Sequence, residues 1–227
     1  MTTPQTLAFD VYGTLIDTHG VVTALQSMVG TQAPAFSQTW RDKQLEYSFR
    51  RGLMQRYQTF AVVTRQALDY TCQHYGLDLS AAQRDELMAL YRVLPAFADA
   101  EPALQALKAA GHRLYAFSNG TAAAVEQLLV HAGIRDYFLG VVSVDDLQTF
   151  KPNPAVYQHF LQQATARAED SWLISGNPFD VLGALNSGMH AAWIRRSPAV
   201  VFDPWEQAPD RVLGGLGELL PALEQPE

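Results

Sequence analysis

Asp10 stands at the end of an apolar run, Leu7, Ala8 and Phe9, and is followed by Val11, Tyr12, Gly13, Thr14 and Leu15. A short strand that ends in a carboxylate and then turns presents that carboxylate at the carboxyl edge of a sheet, where open α/β sheets bind ligands. There it can act as a nucleophile, splitting a substitution into two easier steps through an ester intermediate. Alone, a strand-terminal aspartate is more often a turn or helix-capping residue. In this string Gly13 permits the turn, and Thr14 offers a hydroxyl to hold the carboxylate. Three more polar clusters lie further along: Ser118-Asn119-Gly120 after Phe117, Lys151-Pro152 after Phe150, and Ser175-Gly176-Asn177-Pro178-Phe179-Asp180. Each is weak evidence by itself. Placed at successive strand ends, they would converge in space.

The elements that must position them can be read from the apolar pattern. Short apolar runs at 7–10, 113–118, 139–144, 171–175 and 191–194 have the character of buried parallel strands. Residues 102–110 and 122–132 carry apolar side chains at helical spacing, and Gly111 and Gly133 follow as terminators. Strand and helix in alternation predict right-handed crossovers and a doubly wound, three-layer parallel α/β sheet of Rossmann-like type. The stretch 18–94 breaks that rhythm, with helical patterns at 21–29, 38–51, 60–75 and 81–91 and no convincing strand. It is expected to be an all-helical cap over the carboxyl edge, excluding water and lending residues to the site. The predicted division is a core over 1–17 and 95–227 with a cap over 18–94. The tail after Pro198, with Pro204, Pro209, Pro221 and Pro226, is less regular and receives no function.

Composition narrows the classes. With 227 residues, 48% hydrophobic and 17% charged, the chain can fill a substantial core. A net charge of -7 argues against nucleic-acid binding, because no basic stripe would release phosphate counterions. The single Cys72 cannot form an internal disulfide, which fits a reducing cytoplasm. Cys72 and His74 lack the second ligand pair that structural zinc requires. A first strand so close to Met1 leaves no room for a signal segment, and no apolar run nears the roughly 20 residues of a membrane helix. The expectation is a cytoplasmic protein without membrane partners.

The string around Asp10 resembles the nucleophile motif of the haloacid dehalogenase superfamily, and the three later clusters match that family in order. Most phosphatases of the superfamily carry a second aspartate two residues after the first, where this chain has Tyr12. Near Ser175 only Asp180 is acidic, whereas phosphatases usually offer two carboxylates there. Mg²⁺ needs oxygen ligands, and a phosphate ester needs its leaving oxygen protonated. Halide leaves as a stable anion and needs no acid. The segment Trp40-Arg41-Asp42-Lys43-Gln44-Leu45-Glu46-Tyr47, followed by Arg51-Gly52-Leu53-Met54-Gln55-Arg56-Tyr57, resembles L-2-haloacid dehalogenases of type II. Arg41 on a helix would ordinarily be a solvated cation, with Glu46 as a partner. Within this string it reads as a receptacle for halide.

That resemblance implies a cofactor-independent and metal-independent hydrolase that converts short L-2-haloacids to D-2-hydroxyacids, working as a homodimer. Asp10 would displace the halide with inversion. Arg41, Asn119 and the electropositive edge of Phe179 would receive it. Ser118 and the N–H groups after Asp10 would hold the substrate carboxylate. Lys151 would steer Asp10, supported by Thr14, Tyr157 and Ser175. Asp180, with Asn177, would activate water against the ester. Tyr12, Leu45 and Phe60 would wall the alkyl group. Three positions depart from the usual pattern. Asp42 adds charge beside Arg41, Gly176 replaces a common serine with little expected effect, and Phe179 stands where some members carry Trp. The alternatives are a Mg²⁺-dependent phosphatase or phosphonatase, and a non-catalytic module that binds small acids.

Overall fold

Short strands buried on both faces build the centre of the molecule. The computed structural model describes residues 4–225. In it, β1 (Thr6–Phe9) and β4 (Ser171–Ser175) are buried at every position, as suits the apolar runs 7–9 and 172–174 within them. With β2 (Arg113–Ser118), β3 (Gly140–Ser143), β5 (His190–Ile194) and β6 (Arg211–Leu213), they form a six-stranded sheet in the order β3-β2-β1-β4-β5-β6. Every pairing is parallel. The strand order reverses between β1 and β4, which is where a ligand crevice opens in such sheets. Phe9 pairs with Ala116 on one side and Ile174 on the other, so Asp10 falls level with Phe117 and Ser175. That register brings three of the four polar clusters to one edge.

Four helices lie between β1 and the next core helix: α1 (His19–Val29), α2 (Ala33–Leu53), α3 (Phe60–His74) and α4 (Ala81–Leu90). The chain leaves and re-enters the core through paired segments. Asp17 N–H donates to the Pro95 carbonyl and Phe97 N–H to that of Leu15, each at 2.9 Å. The α2 helix carries proline in its first turn, where no backbone donor is lost, and runs for 21 residues. It packs along α3, and Trp40 Nε1 donates to the Thr64 carbonyl at 2.8 Å. One buried cluster runs from Leu7 and Phe9 of the sheet into Val21, Leu25, Phe36, Trp40 and Leu68 of the insertion. A second, below the other sheet face, gathers Ala8, Phe117, Tyr157, Phe160, Leu173 and Val181.

The core helices are α5 (Ala100–Ala109), α6 (Ala122–His131), α7 (Pro154–Ala164), α8 (Pro178–Asn186) and α9 (Leu219–Leu223). Several differ from expectation. The α2 helix begins at Ala33 rather than 38, because Pro34 starts a helix as well as a polar cap does. The third strand is shorter, ending at Ser143 where Val144–Leu147 turns into a 3-10 helix. The tail expected to be irregular contributes β6 and α9, although Pro226 lies outside the described residues.

Candidate active site

The β1 strand delivers Asp10 to the edge with its N–H bonded to the Ile174 carbonyl at 3.0 Å. Gly13, at φ 80, turns the chain back so that Thr14 faces the carboxylate it follows. Asp10 is held asymmetrically. Its Oδ2 accepts from Thr14 Oγ1 at 2.9 Å, Asn177 Nδ2 at 2.7 Å and Ser175 Oγ at 3.4 Å. Its Oδ1 accepts from Lys151 Nζ at 3.3 Å. Three donors immobilise one oxygen and leave the other with a single long charged contact.

Lys151 is fully buried and has three acceptors: Asp10, Asp180 Oδ2 at 2.8 Å and the Phe117 carbonyl at 2.8 Å. Asp180, at 0% exposure, also accepts from Tyr157 through Oδ1 at 2.7 Å. An ammonium with three donors thus bridges two carboxylates, the only arrangement in which charges so deep are tolerable. Burial is the largest influence on Asp180 and raises its pKa, and the Asp10 charge adds to it, against the pull of Lys151. Burial likewise pushes the Tyr157 hydroxyl well above the usual phenol value, so it acts as a donor.

The helical insertion closes the site from above. Arg41 of α2 donates to Asn177 Oδ1 at 3.1 Å and to Gln44 Oε1 at 2.9 Å. Glu46 is taken by Lys43 and Arg50, so Arg41 is not neutralised along its own helix. Asp10, Tyr12, Arg41, Leu45, Phe60, Ser118, Asn119, Lys151, Asn177 and Phe179 line one cavity of about 20 Å³. Asn119 Oδ1 accepts from the Lys151 N–H at 3.0 Å, which leaves its amide donors for the cavity. Ser118 Oγ accepts from Gly120 N–H at 3.1 Å and keeps its own proton to donate. Gly13, Thr14 and Leu15 N–H groups are bonded within the turn, leaving those of Val11 and Tyr12 without an acceptor among the described residues. Burial and neighbouring Tyr91 raise the Tyr12 hydroxyl to about 12, so this position is neutral where a phosphatase would place a carboxylate.

Comparison with known proteins decides the lineage. A family model described as haloacid dehalogenase-like hydrolase matches residues 4–188. The (S)-2-haloacid dehalogenase of Pseudomonas putida is 37% identical over 215 residues, which span 95% of this chain and 94% of that protein. The chain belongs to the haloacid dehalogenase-like hydrolases. The (S)-2-haloacid dehalogenase of Pseudomonas sp. strain YL is 39% identical over 205 residues, covering 90% of this chain and 88% of its own. Among solved structures, an L-2-haloacid dehalogenase from Xanthobacter autotrophicus with chloropropionic acid covalently bound superposes with a TM-score of 0.89. That structure is 31% identical and covers 96% of this chain and 97% of its own.

In this haloacid dehalogenase-like hydrolase two expectations need correction, those for Tyr157 and Gly176. Asn177 caps the helix that carries Asp180, its carbonyl accepting from Asp180 N–H at 3.1 Å. Its amide bridges Asp10 and Arg41, while Asp180 sits behind Lys151 and does not line the cavity. Tyr157 supports Asp180 rather than Lys151 directly. Gly176 is more than a neutral replacement for serine: a Cβ there would lie 2.7 Å from the Gly13 carbonyl oxygen. That close approach lets Gly176 N–H donate to Thr14 Oγ1 at 2.9 Å, which aims the Thr14 proton at Asp10. Asp42 is exposed and accepts from Gln38 at 2.8 Å, away from the cavity. Gln44 was not singled out in the sequence reading. Buried, it donates to Thr64 Oγ1 at 2.6 Å and turns its oxygen to Arg41. Its place three residues after Arg41, on the same helix face, was the available signal.

Proposed function

We propose that the chain hydrolyses short L-2-haloalkanoates to D-2-hydroxyalkanoates and halide through an ester on Asp10. The observation that carries the reading is one cavity lined by both an immobilised carboxylate and a guanidinium delivered from the helical insertion. With Oδ2 saturated, Oδ1 is the attacking oxygen, aimed at the α-carbon opposite the halogen. Ser118 and the N–H groups of Val11 and Tyr12 hold the substrate carboxylate. Arg41, the Asn119 amide and the edge of Phe179 receive the halide, whose charge develops as the bond breaks. Tyr12, Leu45 and Phe60 exclude water from the carbon.

Esterification cancels the charge of Asp10, so Lys151 is left with Asp180 as its one anionic partner. Asp180, whose pKa is raised by burial, then accepts the proton of the water that opens the ester, as a general base should. Tyr157 steadies that carboxylate, and Thr14, Ser175 and Asn177 hold the ester oxygen's former partner. The donor set does not fit Mg²⁺: position 12 is a tyrosine, and an ammonium occupies the space between the two carboxylates. We read residues 18–94 as the cap and the rest as the core, because the paired segments at 15–17 and 95–97 are where the chain crosses between them. We also infer a cytoplasmic homodimer. Supporting this, no helix among the described residues is long and apolar enough to cross a membrane, and the insertion exposes Leu53 and Met54.

The test is halide release from L-2-chloropropionate with EDTA present, the product being the D-hydroxyacid. Turnover that appears only when Mg²⁺ is restored, or only with phosphate esters, would return the chain to the phosphatases. Binding of small acids without turnover would make it a binding module.

A further inference from the structure

The closed reaction cavity, at about 20 Å³, has room for roughly one water molecule, so a wall must yield before any haloacid enters. Most of the wall is tied. Asp10, Lys151, Asn177 and Arg41 are joined by hydrogen bonds. The Tyr12 ring packs between Phe60 and Tyr91, at centroid distances of 6.5 and 6.0 Å, and Phe60 rests on Phe150 at 6.3 Å. Phe179 differs. Half-buried on the first turn of α8, it has no polar atom to tie it and leans edge-on against Phe49 at 5.1 Å. Behind it lies a second cavity of about 560 Å³, lined by Phe49, Leu53, Phe150, Pro152, Leu182 and Trp205 and sharing only Lys151 and Phe179 with the first. Lys151 is pinned by its three acceptors, which makes Phe179 the movable partition.

Resting on the dehalogenation reading, we propose that this apolar chamber is a subsite for the alkyl tail of longer 2-haloacids, opened when Phe179 swings into it. The carboxylate and the α-carbon stay with Ser118 and Asp10, while the tail leaves the reaction cavity past Phe179 into surroundings that are mostly apolar, with Ser48, Asn153 and Asp203 among the exceptions. The same swing admits short acids, after which the ring returns to the halide.

Inhibition by unbranched, non-halogenated carboxylates of three to nine carbons tests this without depending on the rate of carbon–halogen cleavage. Against L-2-chloropropionate turnover, the inhibition constant is expected to fall by about fourfold per added methylene until the tail reaches the open mouth of the chamber. Leu182→Trp fills the chamber and is expected to flatten the series and, by blocking the swing of Phe179, to lower kcat/KM for L-2-chloropropionate as well. Asn186→Trp does the same from the exposed rim, should the buried substitution fail to fold. A constant that stays level or rises with chain length in the native protein would overturn the subsite. So would an unaltered slope in both filled variants. Should L-2-chloropropionate release no halide, the reaction reading fails, and calorimetric dissociation constants of the same carboxylates decide the subsite by the same slope.

Discussion

Lys151→Met removes the charge that makes the site possible, and its cost can be worked from the contacts. Methionine fills nearly the same volume, so packing against the Phe117 ring, 4.0 Å from Nζ, is largely kept. What vanishes is the donor set serving Asp10, Asp180 and the Phe117 carbonyl. Breaking a buried pair while leaving its partner costs about 3–5 kcal/mol, and that range is the expected loss of unfolding free energy at pH 8. The loss should depend on pH. Two buried carboxylates without a cation hold a proton more tightly than they do unfolded, so the folded pKa of the pair is raised. Stability from such a group is complete below its unfolded pKa and lost as pH rises through the folded value. The variant's deficit against the native protein therefore shrinks as pH falls from 8 toward 5, by at most about 1.4 kcal/mol per pH unit for one proton. Urea unfolding of both proteins at the two pH values measures it. A deficit under about 1 kcal/mol, or one identical at both pH values, would refute the charge-bridging role.

Tyr157→Phe deletes a donor to the ionised form of Asp180, whose pKa burial already raises. The acid limb of the pH–kcat profile, set by loss of the base form as pH falls, is expected above the ordinary aspartate range and should move higher still in the variant. A limb that stays in place or moves down would contradict the assignment. Gly176→Ser puts a Cβ 2.7 Å from the Gly13 carbonyl oxygen and parts the two loops that hold Asp10. It should cost about 1–3 kcal/mol in thermal unfolding and slow turnover. An unchanged melting temperature would show that the loops adjust freely.

Much of the layout was legible because strand ends are local signals. The apolar run before Asp10, the small polar residues after Phe117 and the cluster from Ser175 all fall at the same sheet edge in the described residues. The parallel order followed from alternation of strand and helix. Less legible was the partnering of side chains across long separations. Asn177 and Arg41 are 136 residues apart, and nothing in either neighbourhood says that one amide should serve both the guanidinium and Asp10. Tyr157 and Asp180 meet only because α7 and α8 pack side by side on one sheet face. The consequence of Gly176 depends on a contact with a turn 163 residues away in the chain, since it concerns Gly13. β6 was hidden for another reason: three residues, with Val212 half exposed, carry too little periodicity to read as a strand.

Single turnover in 18O-water, with enzyme in excess over L-2-chloropropionate, addresses the central claim that Asp10 itself attacks carbon. If an ester on Asp10 is opened at its carbonyl, one labelled oxygen remains in the peptide carrying Asp10 and the hydroxyacid is unlabelled. Label in the hydroxyacid, with Asp10 unlabelled, would mean that water attacks the substrate directly and that Asp10 is not the nucleophile.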